Sequence, residues 1–471
     1  MNQKYCDNFF SVDKYNGFLP MKQPLKKLSD EFSELQNIID NIKYYIKKGN
    51  EIERVIDNFE NYVDKIYETM DKFEICALFR AYCFLSSCYL LESSYQKYKL
   101  TGEYGSARRI LPKNLAQPLD KLANIIGVYP WLEYSYAYSL GNWYKKDVTK
   151  GMELENLKLA VSFSGTDDEE GFILVHVAIN QHSKDLIKYG ELLTNSLDLG
   201  CIVNLNESLI QLKNVMIRMN DERRNMWKAS NPSNYNNFRI FIMGILGNDK
   251  MFGDGVVYEG VSEIPRKYRG QSGSQDTIIP YMDTLLRIID EYPKNELTDY
   301  LIEMRSYRPK VFQNYLEDVE MKTKNLLSKV DELDGFRSLN YLYEIFDEIW
   351  KFRNGHWQFV QRYIMMNTKY PIATGGTPIN TWIPNQIEAT LKMMKNCLLL
   401  MNKYIYPMDV NDSSLLNLEI YTKKELDWNN KINMLLEQIN ELKKANYDAK
   451  LCYYSNFKHY LTDNQINDIK N

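Results

Sequence analysis

The chain is 471 residues long, 44% hydrophobic and 25% charged, with 58 Lys and Arg set against 62 Asp and Glu for a formal net charge of −4. That length predicts two or three domains, and the balance of charge excludes the broad basic surface through which a protein grips nucleic acid. Seven cysteines, scattered and never spaced CxxC, speak against a disulfide framework or a zinc knuckle and for a reducing, cytoplasmic setting.

The first ten residues carry no basic segment followed by an apolar run, so no secretory leader is expected. Apolar residues then recur at three- and four-residue spacing, as at Leu35, Ile38, Ile42 and Tyr45 and again at Leu285 and Ile288, and alternating β-branched runs are few. The chain therefore reads as all-α. The most apolar stretch, Ile75 to Leu91, contains Arg80 and falls short of the roughly 20 apolar residues of a membrane span, so a buried helix and no membrane partner are expected. Glycine, proline and small polar residues mark loops at Gly102 to Gly105, Ser164 to Thr166, Gly244 to Gly255, Gly270 to Ser274 and Thr374 to Pro378. These breaks suggest a small N-terminal helical domain at 1–115, a larger helical domain at 116–410 and a helical extension at 411–471. In the extension, Ile432, Leu435, Ile439 and Leu442 form a stripe too short for an independent coiled coil and are expected to pack on the body.

Four histidines, His176, His182, His356 and His459, limit the metal chemistry available. There is no HExxH and no pair of histidines at i, i+4, which leaves a zinc enzyme without clustered ligands. The GxSxG elbow, the GxxxxGK[ST] loop and a strand-bound GxGxxG are absent too, removing the usual signs of esterases, NTPases and dinucleotide enzymes. His356 lies on a stripe with Ile345, Ile349, Phe352, Phe359 and Tyr363 and points inward. It reads either as a core imidazole bonded to a carbonyl or as an axial haem ligand. Gly355 beside it leaves room for a flat ligand, and Arg353 is three residues back on nearly the same face. His176 shares a face with Phe172 and Ile179 and also points inward, whereas His182 falls on an exposed side and His459 in the tail.

Several collinear blocks resemble the indoleamine 2,3-dioxygenase family: GFLPMKQPL (Gly17 to Leu25), RILPKNLAQP (Arg109 to Pro118), GNW (Gly141 to Trp143), SFSGTDDEEGF (Ser162 to Phe172), GDGVVYEG (Gly253 to Gly260), SGSQ (Ser272 to Gln275), MRSYRP (Met304 to Pro309), the Arg353 to Tyr363 segment and TGGT (Thr374 to Thr377). The resemblance spans roughly residues 15 to 400. It implies a two-domain all-helical fold with haem b in the larger domain and oxidative opening of an indole ring. The partners it implies are L-tryptophan or another indole, dioxygen and an electron donor. It makes His356 the proximal iron ligand, Arg353 a haem-propionate or ligand-support residue and Asp283 the ion partner near it. Arg239 becomes the clamp for the substrate carboxylate, a task suited to a planar guanidinium. Ser272, Gly273, Thr374, Gly375 and Gly376 fall in two loops that close over the haem edge and the substrate's amino-acid end.

The departures bear on the pocket. His176 stands where animal members carry a small serine, resembling instead the distal histidine of the related tryptophan 2,3-dioxygenases. It is a candidate to bond the indole N–H or the bound oxygen. Tyr138 replaces a smaller residue, Ser135 an aromatic one, and Asn234 and Tyr235 two phenylalanines of the indole pocket, while Phe172 keeps its aromatic character. A more polar pocket leaves open another indole or pyrrole substrate, or an oxygen-binding protein without turnover.

Overall fold

A computed structural model describes residues 3–294, 296–367, 370, 372–376, 382–405 and 412–444. The longest buried helix begins where Asp71 accepts hydrogen bonds from the backbone N–H groups of Phe73 and Glu74, and it ends at Gly102 in the left-handed region, φ 75°. This helix, Lys72–Thr101, contains the apolar 75–91 stretch. By length and composition it could cross a membrane, but 94% of that window is buried inside the fold. Arg80, within it, donates to the carbonyls of Gly141 and Leu25, which keeps a buried guanidinium satisfied on two sides.

The site is framed by five helices: Asp167–Asn180, Ile202–Arg224, Ile278–Leu285, Phe336–Phe359 and Trp382–Met401. Thr166 caps the first of them by accepting from Glu169 N–H, and Asp167, Asp168, Glu169 and Glu170 place negative charge against the positive end of its dipole. Helix Phe336–Phe359 packs between Ile202–Arg224 and Trp382–Met401. Strands are short and peripheral: Val256–Tyr258 lies between Ile110–Leu111, parallel to it, and Ser262–Arg266, antiparallel, and Trp143–Lys145 pairs with Leu157–Leu159.

Among the described residues the main buried apolar core runs from Phe9 to Leu435, with a small second cluster at Tyr300, Met304 and Tyr307. Phe84 stacks on Phe163 at 4.5 Å, and Ser87 donates to the Phe241 carbonyl, so the helix assigned to the first segment also walls the second. The extension packs on the body through helix Asp412–Lys444. Trp428 is buried and donates its indole N–H to the Leu391 carbonyl at 2.9 Å; Ile432 and Leu435 are buried beside it. Lys431 bridges Asp347, at 2.9 Å, and Asp427. The side chains of Ile439 and Leu442, residues 445–471 with Cys452 and His459, and Thr377 and Pro378 lie outside the described residues.

Glu133 caps the π-helical turn Tyr134–Tyr138, accepting from Tyr136 N–H at 2.5 Å. Its Oε1 is buried without a partner, and burial pushes the carboxyl up to about 7. A raised acid stabilises the fold fully below its unfolded value near 4.3 and loses that contribution as pH rises to about 7. Glu133→Gln, which keeps the acceptor, should therefore match the parent at pH 4 and exceed it above pH 7 by roughly 3 kcal/mol. Melting curves at the two pH values check this; equal differences at both would contradict it.

Candidate functional site

His356 sits in the last turn of helix Phe336–Phe359, just before the π-helical turn Val360–Met365. Ile345 and Ile349 on its stripe are buried, while Phe352, Arg353, His356 and Phe359 line a cavity. Burial, then His176, then Arg223 push its pKa down to about 4, so the imidazole is neutral at pH 7 and has a lone pair to offer. The glycine before it serves a purpose other than the one expected. A Cβ at Gly355 would lie 1.9 Å from Arg223 Nη1, so the space is taken by the guanidinium of Arg223, which also rests over the rings of Phe352 and Phe359.

Arg353 and Asp283 are both buried and 2.5 Å apart, joining helix Phe336–Phe359 to Ile278–Leu285. Arg353 also donates to Thr390 Oγ1, and Tyr292 donates to Asp283 Oδ2. Burial raises the Asp283 carboxyl while Arg353 opposes it, and Asp283 Oδ1 is buried without a hydrogen bond.

His176 enters the same cavity from helix Asp167–Asn180. Its Nδ1 lies 3.0 Å from the Phe172 carbonyl, which can only accept. Nδ1 therefore carries the proton and Nε2 presents a lone pair. Burial lowers its pKa, against the nearby Asp276, so this neutral tautomer holds. Asp276 Oδ2 accepts from Tyr134 OH at 2.6 Å and from Asn180 Nδ2 at 2.7 Å, and Asn180 also donates to the His176 carbonyl, fixing the end of the helix.

A second cavity adjoins the first, and His176, Met226, Gly273, His356 and Phe359 line both. It is walled by Phe172, Tyr235 and Tyr363, with Ser272, Tyr300 and Thr374 at its rim. Phe172 meets Tyr235 at 4.9 Å and His176 edge-on at 5.6 Å. Glycines knit the rim loops to one another: a Cβ at Gly244 would meet Gly270 N at 2.0 Å, one at Gly270 the Thr374 carbonyl at 2.3 Å, and one at Gly376 (φ +87°) the Leu246 carbonyl at 2.1 Å.

The structure thus gathers Phe172, His176, Tyr235, Ser272, Gly273, Asp283, Arg353, His356 and Thr374 around two joined cavities. Other expected residues do not line them. Arg239 is fully buried behind Tyr235, donating to Tyr104 OH at 2.9 Å and to the Ile372 carbonyl at 2.6 Å. Tyr138 stacks on Phe84 in the core, and Ser135 is buried in the π-helical turn. Asn234 turns outward to Asp168, 2.6 Å away. Gly375 and Gly376 pack on Ser272 and Leu246, where they serve loop-to-loop contact. His182 is half-buried near Glu222, not exposed, because its turn packs against helix Ile202–Arg224. Sequence reasoning assigned no role to Arg223, Asp276 or Arg308, all on the first cavity. Arg308 stood in a quoted block, MRSYRP, but nothing local marks it as buried.

The glycine packing predicts that Gly244→Ala, which forces backbone on backbone, lowers stability by about 1–3 kcal/mol. A denaturant midpoint equal to that of the parent would contradict it.

A sequence model of indoleamine 2,3-dioxygenase matches residues 7–393. Indoleamine 2,3-dioxygenase 1 of Rattus norvegicus is 30% identical over 214 residues, 45% of this chain and 52% of the rat protein, so the chain spans about half the length of that relative. Indoleamine 2,3-dioxygenase of Saccharomyces cerevisiae is 26% identical over 382 residues, 77% of this chain and 80% of the yeast protein. A protein named myoglobin from Haliotis madaka is 25% identical over 286 residues, 57% of this chain and 68% of that one. With a family match over most of its length and an all-helical fold to go with it, the chain belongs to the indoleamine 2,3-dioxygenase family.

Proposed function

We propose that this protein is a haem-dependent dioxygenase that opens the indole C2–C3 bond of L-tryptophan or a related indoleamine to give an N-formylkynurenine. The observation that carries this reading is the pair of neutral histidines at the junction of a mainly apolar cavity and an adjoining aromatic one. The residues present fit haem b. The first cavity offers a neutral imidazole for iron, aromatic and aliphatic walls for a macrocycle and buried guanidinium groups for its carboxylates. Haem, when bound, supplies the iron that activates dioxygen.

The rest belongs to the chain. His356, neutral at pH 7, would hold the iron through a ring nitrogen. Phe172, Tyr235 and Tyr363 form a wall against which an indole stacks. His176 Nε2, held as an acceptor by the Nδ1 bond to Phe172, takes the indole N–H and orients the ring; it has no proton to give to an oxygen atom in this state. The hydroxyls of Ser272 and Thr374 stand at the rim for the ammonium. Arg239 reaches the carboxylate by exchanging its bond to the Ile372 carbonyl, which couples substrate capture to the 372–376 loop. Apolar and aromatic side chains such as Val175, Ile179, Phe172 and Phe359 line the junction, which lowers the polarity in which an indole and dioxygen would meet. We place the protein in a reducing, cytoplasmic compartment, in keeping with free cysteines at six described positions.

Two observations keep rivals in view. The polar groups His176 and Tyr235 on the second cavity suit a hydroxylated indole or a pyrrole compound as well as tryptophan. Arg239, already bonded to Tyr104 and Ile372, suits an oxygen-binding protein without turnover. Haem-loaded, reduced protein in air should form N-formylkynurenine from L-tryptophan. Arg239→Ala should raise KM about 10- to 100-fold with haem content unchanged. Turnover only with another member of an indole and pyrrole panel would move the substrate; no turnover of any, with a normal haem spectrum, would establish oxygen binding instead.

A further inference from the structure

The first cavity carries a charge that the fold does not use. Arg308 precedes Pro309, the N-cap of helix Lys310–Lys322, and is 3% exposed. Its Nη2 donates to the Ser274 carbonyl at 2.8 Å, while Nε and Nη1 are buried without any hydrogen-bond partner. The other arginines on the cavity are engaged: Arg353 pairs with Asp283, Arg305 lies 3.9 Å from Glu320, and Arg223 rests on two phenylalanine rings. The acid nearest in charge to Arg308, Asp276, is already occupied by Tyr134, Asn180 and the Ile278 N–H. No carboxylate stands within ion-pairing distance of Arg308 among the described residues. Burial lowers its pKa to about 10, which still leaves it cationic at neutral pH.

A buried, unpaired guanidinium destabilises the protein that carries it unless a ligand brings the opposite charge. We propose that Arg308 binds a carboxylate of the haem, as a second cationic anchor beside Arg353. This rests on the haem reading above. It gives the two buried arginines different tasks: Arg353 is ion-paired inside the fold with Asp283, whereas Arg308, which feels Asp276 and Asp283 only at a distance, gains a close anionic partner from the ligand. The cavity would then select porphyrins by an ionised carboxylate at this wall, and removing the charge from either partner would have the same effect.

The test uses Arg308→Met, which keeps an apolar stem of similar reach, with Arg308→Lys as a charged companion. Haem loss is followed by transfer to excess apomyoglobin, for native haem and for haem dimethyl ester, alongside thermal melting of the haem-free proteins. The expected result has three parts. Arg308→Met melts at or above the parent without haem, it loses native haem at least tenfold faster with Arg308→Lys in between, and it loses the diester at the parent's rate. Equal loss of native haem from parent and Arg308→Met would overturn the assignment. So would a lower melting point of the haem-free variant with equally faster loss of haem and diester, which marks a structural arginine. A parent chain that takes up no haem would overturn the haem reading itself, and this assignment with it.

Discussion

The buried Arg353–Asp283 ion pair is the contact on which the site's geometry depends. It lies one helical turn before His356 and ties helix Phe336–Phe359 to Ile278–Leu285, while the same guanidinium reaches Thr390 on Trp382–Met401. Three helices are thereby fixed against one another directly behind the imidazole. Removing one member of such a pair leaves a buried uncompensated charge, at a cost of about 3–5 kcal/mol. Lys431 adds a second tie farther along the same helix by bridging Asp347 to the extension at Asp427. That extension lies beyond the residues matched by the family model, so the histidine helix is braced in part by a segment outside the match.

The polar groups around the two cavities divide by where their partners lie. Tyr134, Asn180 and the Ile278 N–H satisfy Asp276, and Phe172 O satisfies His176 Nδ1. Each of these bonds holds a side chain in one orientation and leaves a defined atom facing the cavity. His176 Nε2, Asp283 Oδ1, Arg353 Nε and two nitrogens of Arg308 are left for whatever binds. A cavity that is satisfied except at such atoms is preorganised for a ligand with charge at one edge and an apolar plane in between.

Much of this was legible in the sequence because helical periodicity carries it. The stripes through His176 and His356 put both imidazoles inside, and the 75–91 stretch emerged as a buried helix. Strands were not legible, since runs of two to five residues are too short to show alternation. Contacts made by distant parts of the chain were not legible either. Arg239 is turned from the cavity by Tyr104, 135 positions away, and Asn234 is drawn outward by Asp168, 66 positions away. Gly355 suggested an open space, but its neighbour Arg223 comes from another helix and fills it. The glycines of the rim loops were correctly placed in loops, although their partners turned out to be one another's backbones.

The proposed function depends on the imidazole of His356 as the group that holds a haem iron. Its most direct test is the reduced spectrum of His356→Gly with and without added imidazole. The account predicts that the histidine-ligated ferrous spectrum disappears in the variant and returns when imidazole fills the space. A variant that keeps the parent spectrum with no imidazole present would show that another group holds the iron, and would contradict the account.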